Sequence, residues 1–128
     1  MNPKSYIENG VYCATPGRLR YLTREIVLYV HNKNHIPIHP FAFFPYELFE
    51  GGDVGREDTM AFCQELVKIC PRIWIFGISE GVLDDIEPVI PLKKEIELHL
   101  EFDSDWELNA DILKTNPRYF EILGKLNL

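Results

Sequence analysis

Two short, unbroken apolar runs constrain this chain more than anything else in it. Val11-Tyr12-Cys13-Ala14 is stopped by Thr15-Pro16-Gly17, and Ile73-Trp74-Ile75-Phe76 by Gly77-Ile78-Ser79-Glu80-Gly81. A strand with one wet face alternates apolar and polar residues, whereas a strand of a parallel sheet is covered on both faces and reads as a continuous apolar run. Gly, Pro and Ser then close each run as turn formers. Parallel strands are therefore expected at Gly10–Ala14 and Arg72–Gly77, with the working face built from the loops that follow them.

Between these runs the period changes. Leu19, Leu22, Ile26, Tyr29 and Val30 recur at three- and four-residue steps, which predicts a helix from Gly17 or Arg18 to the Asn32-Lys33-Asn34 stop. Ile36-Pro37-Ile38-His39-Pro40 reads as a second strand, confined by its prolines to a strand end or a position with a free N–H side. From Phe41 to Gly55 aromatic and turn-forming residues follow with no period, as in a long functional loop. Met60, Cys63, Val67 and Cys70 mark a buried helix, with Asp53 a possible N-cap.

Pro91 followed by Leu92, Ile96, His99 and Leu100 predicts a helix with proline at its first position, after an acidic segment of open structure. Trp106-Glu107-Leu108 reads as a possible last strand, and Asn116-Pro117 caps a final helix burying Phe120, Leu123 and Leu126. Strands alternating with helices specify an α/β class, an open parallel sheet in a Rossmann/flavodoxin-like three-layer sandwich. Ligands of such sheets bind beyond the carboxyl ends of the strands. With 128 residues, one domain over 1–128 is expected, its last stretch, 103–128, forming a C-terminal extension.

A formal net charge of −7 argues against a nucleic-acid partner, because phosphate backbones are held by clustered Lys and Arg. Cys13, Cys63 and Cys70 are odd in number and sit in apolar runs, as reduced, buried thiols do. Met1-Asn2-Pro3-Lys4-Ser5-Tyr6 leads to Glu8 and Asn9 with no apolar signal region, and no run is long enough to span a bilayer. A cytoplasmic location with no membrane partner is expected.

Few side chains stand where chemistry is possible. Thr15-Pro16-Gly17-Arg18 joins a strand to a helix N-terminus, whose free N–H groups and dipole favour an anion, although any such turn needs the same residue types. Ser79-Glu80-Gly81 occupies the matching place after the second run and suits ligand hydroxyls as well as an ordinary turn. Asp84, Asp85, Glu87, Glu95 and Glu97 include a possible nucleophile or general base, set against the usual solvated role of carboxylates. His35 and His39 bracket a strand rather than share a helix face, so no metal site is expected. Phe41, Phe43 and Tyr46 could stack on a planar base or pack in the core.

In their order, these pieces resemble the nucleoside 2-deoxyribosyltransferase-like superfamily over roughly Val11 to Leu100. The matching features are Val11 to Gly17, His39-Pro40-Phe41, Arg56-Glu57-Asp58, Ile73 to Gly77 with Ser79-Glu80-Gly81-Val82, and Lys94-Glu95-Ile96-Glu97 as the Glu-Ile helix. The resemblance implies an N-glycosidic-bond transferase or hydrolase acting on a deoxynucleoside or its monophosphate, without a cofactor. It implies that Glu95 attacks the anomeric carbon, that Asp58 holds sugar hydroxyls, and that the protein forms a homodimer or higher oligomer. Tyr12, Thr15, Pro16, Gly17 and Arg18 would lie near the sugar or its 5′ phosphate, with Ser79, Glu80 and Gly81 opposite and Phe41 and Phe43 over the base. Two features depart from the pattern: Cys70-Pro71 stands where the family has Cys-Asp, and additional residues before Glu95 make Glu87 a rival nucleophile. The alternative implied is a module that binds a nucleotide or nucleotide-derived ligand without turnover.

Overall fold

β1 (Gly10–Ala14) and β3 (Arg72–Ile75) lie side by side in the middle of the sheet in a computed structural model that describes residues 8–128. The N-terminal stretch Met1–Tyr6 lies outside the described residues. β2 (Ile36–Ile38) flanks β1, and β4 (Glu95–Leu98) flanks β3, giving a four-stranded, all-parallel open sheet of order β2-β1-β3-β4. Val11 pairs with Arg72, Ala14 with Ile75, and Ile73 with Ile96. Pro37 is tolerated in β2 because that strand is an edge, where one side of its backbone needs no ladder partner.

Helices cover both faces. Val11, Cys13, Trp74 and Phe76 point to one side, against Ile26 and Val30 of α1 (Thr23–Asn32). Tyr12, Ala14, Ile73 and Ile75 point to the other, where α2 (Pro40–Phe43) and the longer α3 (Arg56–Ile69) follow β2 in the chain and α3 contributes Val67. That layer also holds Val82, Leu83 and Ile86 of α4 (Glu80–Ile86), Ala110 of α5 (Trp106–Leu113), and Tyr119, Ile122 and Leu123 of α6 (Pro117–Lys125). Residues 103–128 thus share the main core. Each fully buried Ile, Leu or Val there contributes roughly 1.5–3 kcal/mol.

Several local expectations are corrected. The helix expected from Gly17 starts as a 3-10 segment, Gly17–Leu22, and becomes α-helical at Thr23. Asp53 does not cap α3; Gly55 does, at φ 89, a conformation that suits glycine. The acidic segment forms α4 and then a 3-10 turn, Glu87–Leu92, which ends when Lys93 turns left-handed at φ 56. Glu95–Leu98 is a strand and no helix: Ile96 and Leu98 alternate with Glu95 and Glu97 as period two requires, and Ile96 registers with Ile73. Trp106–Leu108 opens α5 and is not a strand. No helix of the described residues is long and apolar enough to cross a membrane.

Candidate functional site

The chain runs from β1 to β2 on one side of β1 and returns to β3 on its other side, so the strand order reverses between β1 and β3. Loops leaving the two strands diverge there and open a crevice. A pocket of about 270 Å³ occupies it. Thr15 and Gly17 line it from the β1 side, and Ser79, Glu80 and Gly81 from the β3 side. Pro40, Phe41 and Phe44 form one wall, Thr59, Met60 and Cys63 of α3 another, with Glu50 and Arg56 alongside.

Asp85 also lines this pocket. It is only 8% exposed because it shares the sheet-facing side of α4 with Val82 and Ile86, three before and one after it. The Tyr12 hydroxyl, buried on β1, donates to Asp85 Oδ2 at 2.9 Å. The second oxygen, Oδ1, is buried without a hydrogen-bond partner. Burial pushes the carboxyl up to about 7, against the opposing pull of the Tyr12 hydrogen bond and of Arg56, with Asp84 and Glu50 adding to the rise. Burial, and then Asp85, hold the Tyr12 phenol well above its ordinary value, so it remains a donor.

Two further residues fix the walls. His39 caps α2: its Nδ1 accepts from the Phe41 N–H at 3.1 Å, leaving Nε2 to carry the ring proton toward Thr15 Oγ1 at 3.2 Å. Burial lowers its pKa to about 4, so it is neutral at ordinary pH. Asp103, 2% exposed, accepts from the Ile78 N–H at 3.0 Å and from the Arg18 guanidinium, which also donates to the Ile78 carbonyl at 2.8 Å. It thereby joins the loops after β1 and β3. Gly77 belongs to the same joint: a Cβ there would meet Asp103 Oδ2 at 2.7 Å and Pro16 Cγ at 2.8 Å.

The residues singled out in the sequence separate into two sets. Thr15, Gly17, Phe41, Ser79, Glu80 and Gly81 converge on the pocket, and Tyr12 reaches it through Asp85. Pro16 packs behind it against Gly77, and Arg18 is engaged with Asp103 and Ile78. Phe43 is 52% exposed and outside the lining, where Phe44 stands instead. Asp58 is exposed in the first turn of α3, and its neighbour Thr59 faces the pocket.

Glu95 opens β4 beside Arg72, at the amino end of the sheet and away from the pocket, with Arg72 Nε 3.0 Å from its carboxylate. Glu87 pairs with Arg118 at 2.8 Å and is outside the lining. Asp85 was one of five candidate acids in the sequence, whereas His39 and Asp103 had no site role assigned there. For Asp85 a signal existed: Ser79 as N-cap fixes a helix on which an acid falls in the apolar stripe of Val82 and Ile86. The other two depend on contacts across 24 and 85 residues of chain, which leave no local pattern.

A second groove of about 530 Å³ adjoins the first through Phe41 and is lined by Arg18, Arg20, Tyr21 and Tyr46. The Arg20 guanidinium lies 4.0 Å above the Tyr46 ring. Together the crevices offer a buried carboxylate beside an open aromatic and cationic surface. No protein-family profile, no curated protein and no solved structure matches this chain.

Proposed function

We propose that this chain is an N-glycosidic-bond enzyme, a transferase or hydrolase of deoxynucleosides or their monophosphates, and that its nucleophile is Asp85 rather than Glu95. One observation carries the reading: a buried carboxylate lining a pocket at the switch point, one oxygen held by the Tyr12 hydroxyl and the other unpartnered. A desolvated carboxylate is a stronger nucleophile than a hydrated one, and Tyr12 keeps it oriented. Ionised Asp85 would bond to the anomeric carbon as the bond to the base breaks, and the departing base would take a proton from water at the pocket mouth. Water or a second base would then displace the sugar from Asp85 and regenerate the carboxylate, the attacking group giving up its proton to the hydroxide left by the first step. The aromatic surface from Phe41 to Tyr46 would receive the base.

A second reading, a binding module without turnover, draws on the same side chain. Near neutral pH burial keeps much of Asp85 protonated, and a neutral acid can hold a ligand by hydrogen bonds. One assay separates the two: incubation with purine and pyrimidine deoxynucleosides and monophosphates, with free base followed by chromatography. Base release that Asp85→Asn abolishes and Glu95→Ala and Glu87→Ala retain supports the enzyme. Saturable binding with no release supports the module, and release that survives Asp85→Asn removes Asp85 as nucleophile.

A further inference from the structure

The polar atoms around the pocket are nearly all hydrogen-bond acceptors. The Thr15 hydroxyl gives its hydrogen to the Cys13 carbonyl at 3.0 Å and receives the His39 ring N–H, so it can only accept from a ligand. The Thr59 hydroxyl gives its hydrogen to the Gly55 carbonyl at 2.7 Å and is left in the same position. Glu50, Glu80 and Asp85 add three carboxyl groups to the lining. The cation lining this pocket, Arg56, is paired with Glu50 at 2.7 Å, and Arg18 nearby is committed to Asp103 and Ile78. Remaining donors are the Ser79 hydroxyl, which itself accepts from the Val82 N–H, and first-turn N–H groups of α4 beside the Glu80 carboxylate.

A lining of this kind complements a neutral group rich in O–H or N–H donors and opposes an anion that can only accept. Resting on the reading of the pocket as a sugar site, we infer that its substrate is an unphosphorylated nucleoside, whose sugar hydroxyls donate to Thr15, Thr59 and the carboxylates, rather than a nucleoside 5′-monophosphate. A phosphate dianion there would meet the Glu50 and Glu80 carboxylates and a partly ionised Asp85 against Arg56, which Glu50 already holds, while Arg20 of the adjoining groove is turned to the Gly17 carbonyl and the Tyr46 ring. Glu50 is then a specificity-determining residue: it both adds negative charge and occupies Arg56.

Calorimetric titration of the full chain with deoxynucleosides and with their 5′-monophosphates tests this. Like-charge opposition predicts that the nucleoside binds at least about tenfold more tightly. Glu50→Gln, at a loop position, should narrow that ratio by strengthening monophosphate binding, and added salt should narrow it in the unmodified protein. Monophosphates binding as well as nucleosides, or a ratio unmoved by Glu50→Gln, would overturn the inference while leaving a nucleoside site intact. If neither class binds, the sugar-site reading falls and the inference with it.

Discussion

Replacing Asp85 by Asn removes a charge that the fold disfavours, and the pH dependence of its effect follows from the site. The carboxyl is pushed from 3.8 to about 7, chiefly by burial. Because the folded value is the higher, the native protein prefers the neutral acid. That contribution is complete below the unfolded value and is lost as the pH rises through 7. A difference of about three pH units, at roughly 1.4 kcal/mol each, gives about 4 kcal/mol between pH 4 and pH 8. Unfolding entropy of about 2.1 cal/mol/K per residue converts this to a change of roughly 15 °C in Tm for a chain of this size. Asn titrates nowhere in this range, so thermal melts of both proteins at pH 4 and pH 8 isolate the effect as the change in their Tm difference. Asp85→Asn should gain on the unmodified protein by roughly 10–15 °C over that interval. A Tm difference constant to within a few degrees would refute the claim that Asp85 is buried and disfavoured as an anion.

Asp103→Ala removes the acceptor shared by the exposed Arg18 and the buried Ile78 N–H, and leaving that N–H unpaired costs about 1–3 kcal/mol; a loss below about 0.5 kcal/mol by urea unfolding would deny it the joint between the two loops. His39 has the opposite sign to Asp85. Its folded pKa of about 4 lies below the ordinary histidine value of 6.5, so stability is full above 6.5 and falls as the pH drops toward 4. Relative to His39→Asn, the unmodified protein should lose roughly 3 kcal/mol over that interval, read by denaturant titration at each pH. The three thiols are buried, and burial raises Cys63 to about 12 and Cys70 to about 11. Neither these nor Cys13 should react with an aromatic disulfide reagent at pH 8 until denaturant is added, and prompt labelling of the native protein would contradict their packing.

The central strands were legible because burial on both faces leaves no polar residue to interrupt the pattern, as in Val11–Ala14 and Ile73–Phe76. The exchange of strand for helix at Glu95 had a definite cause. Leu92, Ile96 and Leu100 recur every four residues, a spacing that satisfies one helical face and also every second position of a strand. The left-handed turn at Lys93 and the pairing of Ile96 with Ile73 decide between them, and both are tertiary facts. That exchange also drew the reading away from the acid that lines the pocket. Once Glu95 was placed on a helix, Asp85 was one of several acids in an unassigned segment, although the Ser79 cap already implied the helix that buries it.

The same burial that hides Asp85 from a pattern-based reading links its stability cost to its chemistry. Ionisation of Asp85 destabilises the fold, and ionisation is also what a nucleophile requires, so one titration near pH 7 should govern both. As the pH rises from 5 to 8.5, the rate of base release should climb while the stability of the native protein, measured against Asp85→Asn, declines. The decline should level off where the rate reaches half its maximum, both at the folded pKa near 7 and within about one pH unit of each other. A general base elsewhere in the pocket would move the rate profile away from the stability profile, and a purely structural Asp85 would leave only the latter. A levelling point and a rate midpoint further apart than that would therefore assign the chemistry to another group, with Glu50 and Glu80 the carboxylates already in place.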